Sequence, residues 1–179
     1  MNQKSLFDSV SMACSRKTTH AYSTSFSLGI KTLGKKFRDP VYAIYGFVRF
    51  ADEIVDTFHD YDKNTLMARF RQDTVNAIED RISLNPILNS FQQAYHDFNI
   101  EWEQVDTFLK SMEMDLDNTG YDRPGYENYI LGSAEVVGLM CLKVFTEGNQ
   151  EEYAKLKPHA MRLGAAFQKI NFLRDLKAD

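Results

Sequence analysis

Residues that favour turns or cross-links are scarce in this chain, whose 179 residues include 4 prolines, 9 glycines and 2 cysteines. Cys14 and Cys141 are too few for a disulfide framework, so we expect a protein of the reducing cytoplasm. The low content of proline and glycine argues against a turn-rich β fold and favours helices.

The chain has no excess of basic charge, because 25 acidic residues outnumber 21 basic ones and the net charge at pH 7 is −4. This balance leaves no positive footprint for nucleic acid, so we predict no nucleic-acid partner. The start of the chain lacks the apolar run of a signal peptide. The longest apolar run, residues 136–145, is interrupted by Lys143 and is too short to cross a bilayer.

Apolar and aromatic residues are plentiful, at 44% and 13% of the chain, as in a globular protein. The length suits one domain with a sizeable core. Apolar positions recur at helical spacing, and no window shows sustained β alternation. We predict an all-α fold, with helices over residues 6–17, 40–58, 66–81, 86–98, 102–112, 126–145 and 151–179.

Proline and glycine also mark where predicted helices begin and end. Asp39 followed by Pro40 predicts a helix start, because Asp can cap a helix and Pro fits the first turn. Residues 29–38, with Gly34 and several basic side chains, are predicted to form a loop.

A line of polar residues runs along one predicted helix that is otherwise apolar. Steps of four, three and four place its members on a single face: Tyr45, Arg49, Asp52 and Asp56. Asp52 and Asp56 carry like charge one turn apart, which is unfavourable without a cation. Carboxylates suit Mg²⁺, and Arg49 offers a planar fork for phosphate. In the competing interpretation, Arg49 simply pairs with Asp52 or Glu53 at the surface.

A second polar line follows the last predicted helix, which we expect to be buried. Steps of three, four and four join Gln168, Asn171, Asp175 and Asp179, and Arg174 lies beside them. Amide side chains in an apolar helix need polar partners, which a metal or a diphosphate would supply. A polar network between helices would satisfy them without any ligand. Because the two lines have matching chemistry, we predict that they face each other across a cavity.

Four segments of the chain resemble the squalene and phytoene synthase family, the head-to-head prenyl synthases. An aspartate-rich D-x-x-x-D preceded by Arg stands at residues 49–56, and the second family motif stands at residues 163–179. Residues 22–26 resemble the S-x-S-F segment that helps to hold diphosphate. Residues 129–138 resemble the segment that usually reads Y-x-x-G-x-A-G-x-V-G. The segments occur in family order.

The resemblance implies a prenyltransferase in which Mg²⁺ assists the head-to-head condensation of two prenyl diphosphates through a cyclopropyl diphosphate intermediate. We expect conversion of geranylgeranyl diphosphate to phytoene. The alternatives are squalene, dehydrosqualene or hydroxysqualene formation from farnesyl diphosphate, and only a squalene-forming enzyme would need NADPH. We expect a monomer. A peripheral contact with a membrane is compatible with the hydrophobic substrates.

The same resemblance assigns roles to individual residues. It implies metal ligands for Mg²⁺, with Mn²⁺ as a substitute, at Asp52, Asp56, Asn171, Asp175 and Asp179. It implies substrate contacts at Ser23, Ser25, Phe26, Tyr45, Arg49, Gln168, Asn171 and Arg174. Tyr129 would steer proton loss, and with Arg49 and the four aspartates it forms the catalytic set.

Three departures from the family pattern stand out. Glu135 occupies a position where the family often has Gly, and Thr24 a position where some relatives carry Lys. The chain stops at Asp179, whereas relatives continue with further helices. We therefore expect a single helical prenyl-synthase domain over residues 1–179 that is incomplete at its C-terminal end. The implied fold is an isoprenoid-synthase-type bundle around a central cavity, with its C-terminal helices missing.

Interpretations from other classes are weaker. A di-metal helical bundle would need paired Glu-x-x-His motifs, and none of the 4 histidines has Glu three residues before it. A phosphohydrolase of the HD type is suggested only by the dipeptide His96-Asp97. A non-catalytic fragment of a prenyl synthase is the remaining alternative, which the intact aspartates disfavour and the short C-terminus favours.

Overall fold

The computed structural model describes residues 2–116 and 123–175, without the side chains of residues 172, 174 and 175. The described residues form helices and contain no strand, so the all-α prediction is confirmed. The helices are α1 (Gln3–Tyr22), α2 (Thr24–Thr32), α3 (Lys35–Asp56), α4 (Lys63–Asp80), α5 (Pro86–Asp97), α6 (Trp102–Leu116), α7 (Arg123–Ile130), α8 (Val136–Thr146) and α9 (Gln150–Asp175). A π-helical segment, Leu131–Glu135, joins α7 to α8.

The chain divides into two compact units, Met1–Asn99 and Ile100–Asp179. The prediction of one domain over residues 1–179 stays a prediction. In the first unit, the Phe47 ring of α3 stacks on Phe91 of α5, with centroids 4.0 Å apart, and on Phe70 of α4, at 5.6 Å. Because α3 buries half of its residues and packs against α1, α2, α4 and α5, it forms the centre of this unit.

The predicted loop over residues 29–38 is wrong, because part of it belongs to α2 and part to α3, which begins at Lys35. Asp39 does not cap a helix. Its carboxylate instead accepts two hydrogen bonds from Arg16, at 2.9 and 2.6 Å, so a contact with α1 replaces the local cap. Pro40 therefore lies inside α3 rather than at its start.

A buried lysine lies in the core of the second unit. Lys143 of α8 is 3% exposed, and its ammonium donates to Glu101 at 2.5 Å. The ammonium also lies 4.2 Å from the ring centroid of Tyr153, whose hydroxyl accepts a hydrogen bond from Gln104. These contacts compensate the cost of burying the charge, and they join α8 to α9 and to the residue that precedes α6.

The stretch Arg123–Thr146 is the one helical segment among the described residues that is long and apolar enough to cross a membrane. The apolar run at residues 136–145, which was predicted to lie on a helix over residues 126–145, is part of this slightly longer helical stretch. Half of its most apolar window is buried within the structure. The buried ammonium of Lys143 lies on this stretch and is paired with the more exposed Glu101 carboxylate.

Candidate functional site

The first half of the predicted site lies where α1 ends, α2 begins and α3 passes. Ser23 caps α2, because its hydroxyl oxygen accepts a hydrogen bond from the Phe26 backbone N–H at 3.1 Å. The Phe26 ring is 61% exposed and lies 5.4 Å from the Tyr45 ring of α3. Burial raises the pKa of the Tyr45 hydroxyl, whereas nearby Arg49 and a hydrogen bond with Ser23 act in the opposite direction.

The structure therefore brings together four residues of the predicted substrate set: Ser23, Phe26, Tyr45 and Arg49. Ser25 is exposed on the first turn of α2. The N-terminus of a helix attracts anions through its unsatisfied N–H groups and its dipole. The start of α2 therefore has N–H groups suited to an anion, and its cap Ser23 hydrogen-bonds with Tyr45, which lies one turn before Arg49 on α3.

Two neighbours of Arg49 were not predicted to have a role. Its Nη2 donates to the Glu53 carboxylate one turn later, and its guanidinium lies 4.6 Å from the Tyr22 ring centroid. Pairing with Glu53 was the competing interpretation, but the pair is not at the surface, since Glu53 is only 8% exposed. The Nε atom of Arg49 is buried without a hydrogen-bond partner in the part of the chain that the structure describes.

The two aspartates of the first motif lie on the same helix. Asp52 is half-buried on α3, and Asp56 is exposed at the last residue of that helix. Their oxygen donors fit a hard cation such as Mg²⁺. Residues 2–116 and 123–175 contain no cluster of three or more His, Cys, Asp and Glu side chains that could hold a metal by itself. A metal at Asp52 and Asp56 would therefore complete its coordination with other oxygen ligands.

The second half of the predicted site lies on α9. Gln168 and Asn171 are half-buried there, and Arg174 and Asp175 belong to its last turn. Asp179 lies outside the described residues. That this polar line faces Asp52 and Asp56 stays a prediction, as do the roles assigned to its residues.

The prediction that this last helix is buried is wrong for one side of it. Four large apolar side chains of α9 are 59–68% exposed: Leu163, Phe167, Ile170 and Leu173. α9 instead packs through small residues, since a Cβ added at Gly164 would lie 2.8 Å from the Ala134 carbonyl oxygen. Helical periodicity identifies apolar positions, but it does not say which of them another helix covers.

The π-helical segment coincides with the region that resembles the family's Y-x-x-G-x-A-G-x-V-G. The Tyr129 hydroxyl, just before it, donates to the Asp115 carboxylate of α6 at 3.4 Å. Sequence reasoning gave Asp115 no role. A sequence signal for Asp115 is its position near the end of α6, 14 residues before Tyr129 on the next helix. π-Helical turns often occur at functional sites, and this pair lies just before one.

Glu135 lies at the end of the π-helical segment and is half-buried. Burial raises the pKa of its carboxyl above the ordinary value, and nearby Lys169 opposes this shift. The folded protein thus binds this proton more tightly than the unfolded chain does. The charged carboxylate destabilises the fold at neutral pH, and this penalty vanishes below the unfolded pKa.

Replacing Glu135 by Gln should therefore raise the urea midpoint of unfolding at pH 7.5, and the gain should disappear below about pH 4. Urea titrations at several pH values measure the difference. Glu127→Gln is the matched control, because that carboxylate is exposed on α7 and should leave the midpoint nearly unchanged. A Glu135→Gln gain that persists at low pH would show that charge is not its cause.

Comparison with known proteins adds to this geometry. Residues 19–179 match the family described as squalene/phytoene synthase. A presqualene diphosphate synthase of Rhodopseudomonas palustris is 27% identical over 162 residues, which cover 89% of this chain and 56% of that protein. A phytoene synthase of Cereibacter sphaeroides is 26% identical over 176 residues, which cover 93% of this chain and 48% of that protein.

A solved structure shows the same fold. The crystal structure of a dehydrosqualene synthase superimposes with a TM-score of 0.80 at 24% identity, over 93% of this chain and 57% of that one. The chain spans about half the length of the curated relatives it matches. The family match covers nearly the whole chain and includes all four segments that carry the resemblance. The chain belongs to the squalene/phytoene synthase family.

Proposed function

We propose that this chain takes part in a Mg²⁺-dependent, head-to-head condensation of two prenyl diphosphates to a cyclopropyl diphosphate. The observation that carries the proposal is the arrangement around Arg49. In the part of the chain that the structure describes, the Arg49 Nε is buried without a hydrogen-bond partner, and Arg49 lies on the same helix as Asp52 and Asp56. The charge of Arg49 opposes the rise in the pKa of Tyr45, whose hydroxyl hydrogen-bonds with Ser23, the N-cap of α2. A buried donor without a partner is costly, and a phosphate oxygen would satisfy it.

The residues at the start of α2 would hold the diphosphate. The helix N-terminus and the hydroxyls of Ser23 and Ser25 offer donors to its oxygens, while Arg49 contributes charge and a directed N–H. Gln168 and Arg174 of α9 are proposed to contact phosphate oxygens as well. The prenyl chain would extend away from these polar groups along apolar side chains.

Metal binding is assigned to oxygen ligands of both motifs. Asp52, Asp56, Asn171, Asp175 and Asp179 would hold Mg²⁺, or Mn²⁺ in its place. The ion supplies Lewis-acid neutralisation of the negative charge on the departing diphosphate. The two carboxylates on α3 stand one turn apart, and shared coordination would remove their mutual repulsion.

Aromatic side chains would stabilise the carbocation and then assist its loss of a proton. The rings of Phe26 and Tyr45, which lie tilted against each other, present π faces whose attraction for a cation is worth roughly 0.5–2 kcal/mol each. Tyr129 donates its own proton toward Asp115, so its oxygen lone pairs remain able to accept a proton from the substrate. Asp115 would take the phenol proton as the new one arrives.

The substrate is proposed to be geranylgeranyl diphosphate, converted to phytoene, as the sequence motifs led us to expect. Similarity to a presqualene diphosphate synthase favours farnesyl diphosphate as the second candidate. We further propose a monomeric protein of the cytoplasm. The exposed Phe26 and Leu28 of α2 are compatible with transient contact with a membrane that holds the product.

Incubation with radiolabelled farnesyl or geranylgeranyl diphosphate, with Mg²⁺ and with or without NADPH, tests this proposal. We expect a labelled cyclopropyl diphosphate or hydrocarbon that forms only with the metal, and a 40-carbon product without NADPH would identify phytoene formation. A 30-carbon product would favour the farnesyl alternative. Recovery of both substrates unchanged, with no binding of either in equilibrium dialysis, would contradict the proposed function.

A further inference from the structure

Glu53 is a buried carboxylate that the proposed chemistry does not use. It lies on α3 between the two aspartates of the D-x-x-x-D motif, and its side chain is 11% exposed. A carboxylate at such a position needs a compensating partner, because desolvation of an isolated charge is expensive. The partner is Arg49, whose Nη2 donates to Oε1 of Glu53 across one helical turn.

This pair restrains Arg49 together with a second contact. The Tyr22 ring lies against the guanidinium, with its centroid 4.6 Å from the central carbon. The Arg49 side chain is 25% exposed, so it is held between the end of α1 and its own helix. Of its donors, Nη2 is used by Glu53, and Nε is buried and unpaired in the described structure. An arginine held in this way loses less conformational freedom when it binds a ligand.

We propose that Glu53 is a positioning residue for Arg49. By accepting the hydrogen bond from Nη2, it fixes the guanidinium against Tyr22 and leaves Nε as the donor for a diphosphate oxygen. This inference rests on the proposed function for its ligand. It assigns to Glu53 no contact with the diphosphate or with the metal.

Glu53→Met and Glu53→Gln form a matched pair that separates positioning from charge. Both side chains are uncharged, unbranched and similar in length to Glu, so any effect of the lost charge is common to both. Gln keeps a carbonyl oxygen that accepts a hydrogen bond from Arg49, whereas the thioether sulfur of Met is only a weak acceptor. Because both suit a helix interior, we expect both variants to fold, and circular dichroism checks this.

The measurement is the affinity for inorganic pyrophosphate with Mg²⁺, by isothermal titration calorimetry on the full chain. We expect Glu53→Met to bind about tenfold more weakly than Glu53→Gln, because an unrestrained arginine must be ordered by the ligand. In an Arg49→Ala background, the two variants should differ by less than twofold. Asp39→Ala, which removes the carboxylate partner of Arg16 in the same unit, should leave affinity unchanged.

A second readout does not depend on the ligand. The NMR signal of the Arg49 Nε–H should be shifted by the Tyr22 ring current in the unaltered chain and in Glu53→Gln, and should move or broaden in Glu53→Met. Equal affinities and equal Arg49 signals for the Met and Gln variants would overturn the positioning role. An unaltered chain that binds no pyrophosphate, or that binds it equally well as Arg49→Ala, would instead contradict the proposed function.

Discussion

Replacing Asp52 or Asp56 by alanine should abolish the effect of Mg²⁺ on pyrophosphate affinity. In the unaltered chain we expect Mg²⁺ to strengthen binding about 100-fold, which corresponds to roughly 2.7 kcal/mol. Each alanine variant should retain less than about a threefold effect, because a hard cation is held by few carboxylate oxygens and each contributes strongly. Calorimetric titration of pyrophosphate at fixed Mg²⁺ concentrations measures the change.

Two further variants give this prediction its controls. Asp97→Ala removes an exposed aspartate at the last residue of α5 and should keep the full effect of Mg²⁺. Asp175→Ala should behave like the α3 variants if the second polar line shares the metal. Mg²⁺ dependence that survives in Asp52→Ala and Asp56→Ala would remove the metal assignment on α3.

The line of polar residues on α3 could be predicted because it depends only on helix geometry. Tyr45, Arg49 and Asp52 are separated by steps of four and three, and any regular helix places them on one face. Their helix is observed from Lys35 to Asp56. The partners of Arg49 depend partly on packing. Tyr22 contacts Arg49 from the end of α1, and no spacing in the sequence predicts this contact.

Packing between helices also explains the errors of the sequence analysis. Local propensity placed a helix start at Asp39-Pro40, but the bond between Arg16 and Asp39 belongs to the contact of α1 with α3. α2 was missed for a related reason. Ser23 was assigned to diphosphate binding because its segment resembles the family's S-x-S-F, but the same hydroxyl also caps the N-terminus of α2.

Small residues in the second unit allow close approach between helices, and this packing leads to the largest predicted effects on stability. A Cβ at Gly132 would lie 2.4 Å from the Ser111 Cβ and 2.8 Å from the Thr107 carbonyl oxygen. A Cβ at Gly164 would lie 2.8 Å from the Ala134 carbonyl oxygen. Backbone atoms cannot move aside as a flexible side chain can, so both substitutions would force the helices apart.

We therefore expect Gly132→Ala and Gly164→Ala each to lower the free energy of unfolding by about 3 kcal/mol. Gly29→Ala is the matched control, because a Cβ there meets nothing within 4 Å and α2 should gain about 0.5–1 kcal/mol from the better helix former. Urea denaturation measures all three. Ser111→Gly should recover only part of the Gly132→Ala loss, because the Thr107 carbonyl oxygen remains in the way. Full recovery, or a Gly132→Ala chain as stable as Gly29→Ala, would show that α6 and the π-helical segment do not approach this closely.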